Sequence, residues 1–386
     1  MNILIAPDSF KGSLSSMEII NTVKKAIHAH FKDARVIDVP IADGGEGTVE
    51  AIVTACRGSY KKTSVLDPLL REITATYGVI DNGKTAIIEM AEASGLMLLK
   101  QEERDPLKTS TYGTGQLIKR VLDEGIRNII IGIGGSSTND GGIGAAMALG
   151  VNFLDADGNE IGHGGKELLK IETIDISNLD PRLKDCNIKV ICDVTNPLTG
   201  KEGATFIYGG QKGANKEILH ILEEGMVHYR HKLEKLMGED VGSIEGAGAA
   251  GGLGAALLAF FKARLLPGIE TVLDIIDFES LLQDVDLVIT GEGNIDGQSI
   301  YGKVPVGVGK LCKEKNIPVL AIVGGMGVGA QDVYNYGIDS IMVTVNKSMA
   351  LDEAMNTAEK LLYDSADRAL RMIKMGMRIQ ASKRAL

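Results

Sequence analysis

Residues 284–303 read DVDLVITGEGNIDGQSIYGK. A short apolar run, Leu287-Val288-Ile289, breaks into a polar turn carrying Thr290, Gly291, Glu292, Gly293 and Asp296. After Gly302-Lys303-Val304-Pro305 an apolar-periodic segment resumes. A strand inside a parallel sheet has this form. It is apolar throughout because both faces are covered, and it ends in a polar loop followed by a helix with Pro in its first turn. Ligands bind at that edge in open α/β sheets, so the stretch sets both an expected fold and an expected site.

The same rhythm runs outward to both ends of the chain. Ile3–Ala6 reads as a strand that exits through Pro7-Asp8-Ser9-Phe10-Lys11-Gly12-Ser13. Ser15 or Ser16 then caps a helix to about His30, with Ile19, Ile20, Val23 and Ile27 on one face. Val36–Val39 is a second strand, leaving through Ala42-Asp43-Gly44-Gly45-Glu46-Gly47 into a helix that runs to about Cys56. Repeated strand–loop–helix units imply a parallel, doubly wound sheet with its loops on one edge. From Tyr60 the pattern changes. Tyr60–Leu66 and Glu72–Val79 alternate apolar with polar residues, and Asp81-Asn82-Gly83 is a hairpin turn before Thr85–Met90. This predicts antiparallel pairing and a domain crossing near Asp67-Pro68. Ile129–Ile133 and Lys189–Cys192 are further strands, and Val319–Val323, Ser340–Val343 and a last helix from about Asp352 to Lys374 restore the first rhythm. The expected fold is α/β in two domains. One is a doubly wound parallel-sheet domain from both chain ends, residues 1–66 and 285–386, and the other is a mixed α/β domain inserted at 67–284.

Composition narrows the function. The chain has 386 residues, 44% of them hydrophobic, enough for a substantial core. A formal charge of −10 disfavours nucleic acid and anionic membranes as partners, and the absence of Trp argues against a base-stacking platform. The four cysteines form no C-x-x-C pair and read as reduced thiols. Apolar runs are too short for a membrane span, and the N-terminus shows no leader pattern. The expectation is a soluble cytoplasmic protein; a homo-oligomer is left open.

Several motifs carry chemistry. Gly297-x4-Gly302-Lys303 fits the first seven positions of a phosphate-binding P-loop, but Val304 stands where a hydroxyl should hold Mg²⁺. What remains is a helix start with a useful lysine. Gly246-x-Gly248-x-x-Gly251 matches a dinucleotide fingerprint, yet Glu239–Ser243 precedes it rather than a strand. Close helix packing is the simpler reading, and a dinucleotide-dependent oxidoreductase is the competing class. Gly134–Gly142 follows a strand and opens a helix. Its backbone N–H groups at Gly134 and Gly135, with Ser136, Ser137, Thr138 and Asn139, suit a phosphate cradle. Asp8, Asp43, Glu46, Asp193, Glu292 and Asp296 all follow expected strands, which suggests one acidic cleft for Mg²⁺ or general-base work. Lys11 is placed to meet a phosphate. The histidines form no metal set, and His163 alone lies in a loop of interest.

Taken together these loops resemble the type I glycerate kinase family. The matching segments are Ala6–Ser16 (APDSFKGSLSS), Pro40–Thr48 (PIADGGEGT), Gly132–Gly142 (GIGGSSTNDGG), Cys192–Gly200 (CDVTNPLTG), Gln211–Ala214 (QKGA) and Thr290–Ser299 (TGEGNIDGQS). They span nearly the whole chain in the family's order. The resemblance implies a flavodoxin-like domain interrupted by a second α/β domain. It also implies Mg²⁺- and ATP-dependent phosphorylation of D-glycerate, to 2-phosphoglycerate or alternatively to 3-phosphoglycerate. Asn294 replaces a common Arg, and Leu70 a Gly, with Arg71 kept in place. On this reading Asp193, with Asp296 next, orients the glycerate hydroxyl, and Glu292 and Asp193 hold Mg²⁺. Lys11 and the Gly134–Asn139 loop hold the ATP phosphates. Asp8, Ser9 and Asp43 contact substrate, and Arg71 offers its fork to the carboxylate. The two domains are expected to close over a cleft.

Overall fold

The computed structural model describes residues 1–45 and 47–384; Glu46, one of the strand-exit acids, lies outside the described residues. In chain order the strands are β1 (Asn2–Pro7), β2 (Arg35–Asp38), β3 (Ser59–Leu66), β4 (Glu72–Ile80), β5 (Thr85–Glu89), β6 (Asn128–Gly132), β7 (Asn152–Leu154), β8 (Thr173–Asp175), β9 (Asn187–Ile191), β10 (Arg264–Leu266), β11 (Leu287–Gly291), β12 (Asn294–Ile295), β13 (Val319–Val323), β14 (Gly325–Met326) and β15 (Ser340–Val343). The chain forms two compact units. The first comprises Met1–Asp43, Glu50–Ala55 and the chain from Gly268 onward, and the second Gly44–Val49 and Cys56–Pro267.

In the first unit β1 is paired on both sides, in parallel, with β11 (Ile3↔Leu287, Ile5↔Ile289) and with β2 (Ile3↔Val36). The full order is β15-β13-β11-β1-β2. Ranked by position in the chain this is 5-4-3-1-2, the flavodoxin-like order, whose ligand crevice opens where the order reverses, between β1 and β11. Ile3, Ile5, Ile289 and Ile322 are buried in one cluster with Ile20, Val23 and Ile27 of the helix Ser16–His30 and Leu362 and Leu370 of the helix Ala358–Arg384. Ser15 caps the first of these helices. Its side chain accepts from the Glu18 N–H while the Glu18 carboxylate accepts from the Ser15 N–H, closing a reciprocal box. The start of that helix, directly after the β1 exit loop, is therefore pinned. Gly291 must be glycine because a Cβ there would sit 2.0 Å from the Ile322 carbonyl oxygen on the neighbouring strand.

The second unit holds the sheet β10-β9-β6-β5-β4-β3, parallel across β10, β9, β6 and β5 and antiparallel across β4 and β3. The expected hairpin at Asp81-Asn82-Gly83 joins β4 to β5, with all three residues at positive φ. Among the described residues no helix is long and apolar enough to cross a membrane.

Two boundaries differ from the expected ones. The residues of β3, assigned from sequence to the end-built domain, pair with β4 along their whole length, from Ser59↔Val79 to Leu66↔Glu72. The crossing therefore falls before β3 rather than at Asp67. The return falls at Gly268 rather than 285, because the helix Gly268–Ile275 packs on the helix Val304–Glu314. A Cβ on Gly307 would come within 2.4 Å of Ile269 Cγ1. The last helix is also two, Leu351–Asn356 and Ala358–Arg384, broken at Thr357. Gly251, from the dinucleotide-like motif, lies at φ +68 with the Thr138 carbonyl oxygen 2.0 Å from where a Cβ would be. That glycine is filled by backbone, and no pyrophosphate could approach it there.

Candidate active site

The loops after β1, β11, β13 and β15 line one cavity of about 540 Å³ at the carboxyl edge of the first unit's sheet. Asp8, Ser9, Lys11, Glu292 and Asp296, all named from sequence, meet there. The Asp8 N–H donates to the Gly291 carbonyl, extending the β1–β11 ladder by one residue. That bond fixes the first acid at the reversal point, and the Ser9 N–H donates to Asp8 Oδ1 at 2.7 Å. Asp43, at the β2 exit, is nearly buried and draws in two ammonium groups. Lys303 Nζ lies 3.2 Å and Lys11 Nζ 3.5 Å from the same oxygen, Oδ2.

Burial dominates the electrostatics. It pushes the Asp8 carboxyl up to about 6, helped by the neighbouring charge of Asp43 and opposed by Lys11 and the Ser9 N–H. Burial pushes Glu292 up to about 7, against the Ser299 hydroxyl and Lys303, with Asp8 and Asp296 adding repulsion. Burial also works against the charge on Lys303, but the carboxylates of Asp43, Glu292 and Asp8 outweigh it and hold the ammonium above its usual range. Two carboxyl groups that titrate near neutrality beside two lysines form a site poised for an anion, a cation, or both.

Asp296, expected as a catalytic acid, also shapes its own loop. One carboxylate oxygen accepts from the Gln298 N–H and the other from the Asn294 side-chain amide. It folds the loop as an Asx turn. The turn presents Ser299, whose hydroxyl donates to Glu292 Oε1 at 2.8 Å while accepting from the Asp296 N–H. Asn294, at an exposed position, thus ties the loop to Asp296.

The remaining expected residues lie in the second unit. Asp193 is exposed just after β9. Gly134 and Gly135 reach the surface at the β6 exit, but the rest of that loop is turned inward. Ser137 Oγ donates to the Ser94 carbonyl, Thr138 and Asn139 are wholly buried, and Asn139 Nδ2 donates to Thr205 Oγ1. Lys212, itself buried, donates to Ser136 Oγ at 2.8 Å and to the Thr138 carbonyl at 2.6 Å. Burial drops that lysine to about 7. Asp140 accepts from Thr111 and from the N–H groups of Gly142 and Gly144. In the expected phosphate cradle, then, Ser137, Asn139 and the Gly134 N–H already donate within the fold, while Ser136 and the Thr138 carbonyl accept from Lys212. Arg71 is similarly engaged, its Nε 2.6 Å from Asp67 Oδ2 and its Nη1 2.7 Å from Glu103 Oε1. A substrate carboxylate would share the guanidinium with these two partners.

Two residues that act on the charge of Glu292, Lys303 and Ser299, stood outside the expected set of site residues. Lys303 was visible as the lysine of the incomplete P-loop; its position as the residue capping the helix Val304–Glu314 is the signal that mattered. Ser299 gave no signal, since a serine in a polar turn is ordinary.

Relatives agree along the whole chain. A glycerate kinase of Halalkalibacterium halodurans is 48% identical, covering 94% of this chain and 96% of its own. The glycerate 2-kinase of Escherichia coli K12 is 49% identical over 97% of each chain. A solved structure of a glycerate kinase 2 from Salmonella typhimurium LT2 superposes with a TM-score of 0.86 at 45% identity, covering 98% of this chain and 99% of that one. Since the sequence model of the glycerate kinase family matches residues 3–374, through both units and every loop of the cavity, the chain belongs to the glycerate kinase family.

Proposed function

We propose that this glycerate kinase moves the γ-phosphoryl group of ATP to the 2-hydroxyl of D-glycerate, releasing 2-phosphoglycerate and ADP, at the carboxyl edge of its first unit. The observation that carries the proposal is the pairing of Lys11 and Lys303 on one oxygen of Asp43, beside Asp8 and Glu292. Phosphoryl transfer requires positioning and charge neutralisation more than covalent chemistry. Lys11 and Lys303 can turn from Asp43 to phosphate oxygens, and the helix that starts at Val304 aims its N–H groups the same way. Asp8, raised to about 6, is ionised at neutral pH and still basic enough to take the hydroxyl proton.

The donor set also fits Mg²⁺, the cation the resemblance implies. Among the described residues there is no ready cluster of three or more His, Cys, Asp or Glu that could hold a metal ion. Mg²⁺ ordinarily takes one or two carboxylates and completes its shell with waters and substrate phosphates. Glu292 is the carboxylate that would hold it, because a cation there relieves the burial and repulsion that push its proton affinity up. Bound, the ion would neutralise charge on the phosphate oxygens.

The product assigns the hydroxyl: phosphorus NMR of a reaction with ATP and D-glycerate should show 2-phosphoglycerate, and a 3-phosphoglycerate signal would reassign it. Lys303→Ala should lower kcat/KM by about 10- to 100-fold, the range of one charge-assisted hydrogen bond. An unchanged value in steady-state assays would leave Lys11 as the sole phosphate lysine of the pair.

A further inference from the structure

The cavity at the first unit's edge has two unlike ends. One carries Asp8, Lys11, Glu292 and Lys303; the other is apolar, built from Val345 after β15, Leu351, Ala354 and Met355 of the helix Leu351–Asn356, and Ala358. Every carbon of glycerate bears oxygen, so the three-carbon acid has no apolar face to set against such a wall. It would also leave most of a space of about 540 Å³ empty. Cavities of this size and mixed lining take ligands with a flat apolar body and a polar tail.

The apolar wall is tied to the phosphate end. The Met355 carbonyl accepts from the Ser13 hydroxyl at 3.3 Å, and Met355 Cε lies 3.2 Å from where a Cβ on Gly12 would be. Gly12 has φ +77 and no side chain in that place. The thioether therefore rests directly against the loop that presents Lys11. Ala354 and Ala358 are small and keep the neighbouring surface low. Leu351 is 73% exposed at the rim, a large apolar side chain with its surface open to solvent. A polarizable thioether next to small side chains is a good seat for an aromatic ring face.

We infer that this wall is the purine seat of the nucleotide: the base of ATP lies on Met355, Ala354 and Ala358 with its triphosphate directed to Lys11 and Lys303. The inference rests on the phosphoryl-transfer reading of the same cavity, and it moves the nucleotide from the second unit's Gly134–Asn139 loop to the first unit. It also gives the break at Thr357 a place in the seat, because Ala354 and Met355 come from the short helix before it and Ala358 from the start of the long one.

Photolabelling of the full chain with 8-azido-ATP and Mg²⁺, followed by peptide mapping, tests it without any variant. Adducts are expected within residues 344–358, suppressed by excess ATP and not by glycerate. Adducts confined to residues 56–267 would overturn it. Ala354→Trp fills the seat. It should raise the KM for ATP by about tenfold or more, with the KM for glycerate changed by less than about twofold. A raised glycerate KM with ATP unaffected would make the wall part of the acceptor site and overturn the inference. If labelling falls in 344–358 but the wild-type chain releases no ADP with glycerate, the purine seat stands and the acceptor assignment fails.

Discussion

Asp8→Asn is expected to lower kcat by about 10³-fold, within the range for losing a positioned general base. Asparagine keeps the size of the side chain, and its carbonyl oxygen can still accept from the Ser9 N–H, as Asp8 Oδ1 does. The exit of β1 should therefore keep its shape, and the melting temperature should not fall. What is lost is a carboxylate that burial and the charge of Asp43 raise to about 6. A base works in its ionised form, so activity in the wild type should climb as pH rises through that value. The variant should lose this limb of the profile along with most of its turnover. The test has a clear opposing result. If Asp8→Asn stays within about tenfold of wild type while Asp193→Asn loses more than about 100-fold, the proton acceptor is the exposed acid after β9 instead.

The first unit was legible because its central strands, β1, β11 and β13, are short apolar runs that end abruptly in loops. Leu287–Gly291 and Val319–Val323 are buried at every position, so nothing but a strand covered on both faces fits them. Asp8, Lys11 and Glu292 could be named in advance since a parallel sheet brings all such exits to one edge. The domain limits were less legible. Tyr60–Leu66 alternates in a way that announces an antiparallel partner, but the alternation does not tell on which side of the strand the chain changes unit. The inward hydrogen bonds of the Gly134–Asn139 loop were not legible, for a physical reason. Serine, threonine and asparagine donors look the same in sequence whether they face a phosphate or the interior, and the residue that turns them inward, Lys212, is 74 residues away from Thr138. The same holds for the ion pair of Arg71, whose partner Glu103 comes from a distant turn. Long-range polar partners leave no periodic trace.

Glu292→Gln should make the ligand-free protein more stable at pH 8 and leave it unchanged at pH 4. Glu292 is raised from 4.5 to about 7 chiefly by burial, with Asp8 and Asp296 opposing its charge and the Ser299 hydroxyl and Lys303 favouring it. Below pH 4.5 the group holds its proton in both the folded and the unfolded chain, so the fold bears no charge penalty. As pH rises the unfolded chain releases the proton first. Stability therefore falls until the folded group ionises near 7, and is level beyond. A shift of this size corresponds to at most about 3 kcal/mol. Glutamine cannot ionise, and its carbonyl oxygen still accepts from Ser299, so the variant should escape the loss. Unfolding by urea at a series of pH values reads the gap directly: it should open between pH 4.5 and 7, and a gap that does not vary with pH would mean that charge burial is not its cause. With Mg²⁺ and ATP present the order should reverse, because the wild-type carboxylate then has its cation and gains binding free energy that the variant lacks. A position where the native residue weakens the empty fold and strengthens the loaded one is kept for its charge, and that charge lies at the β11 exit where the strand order reverses.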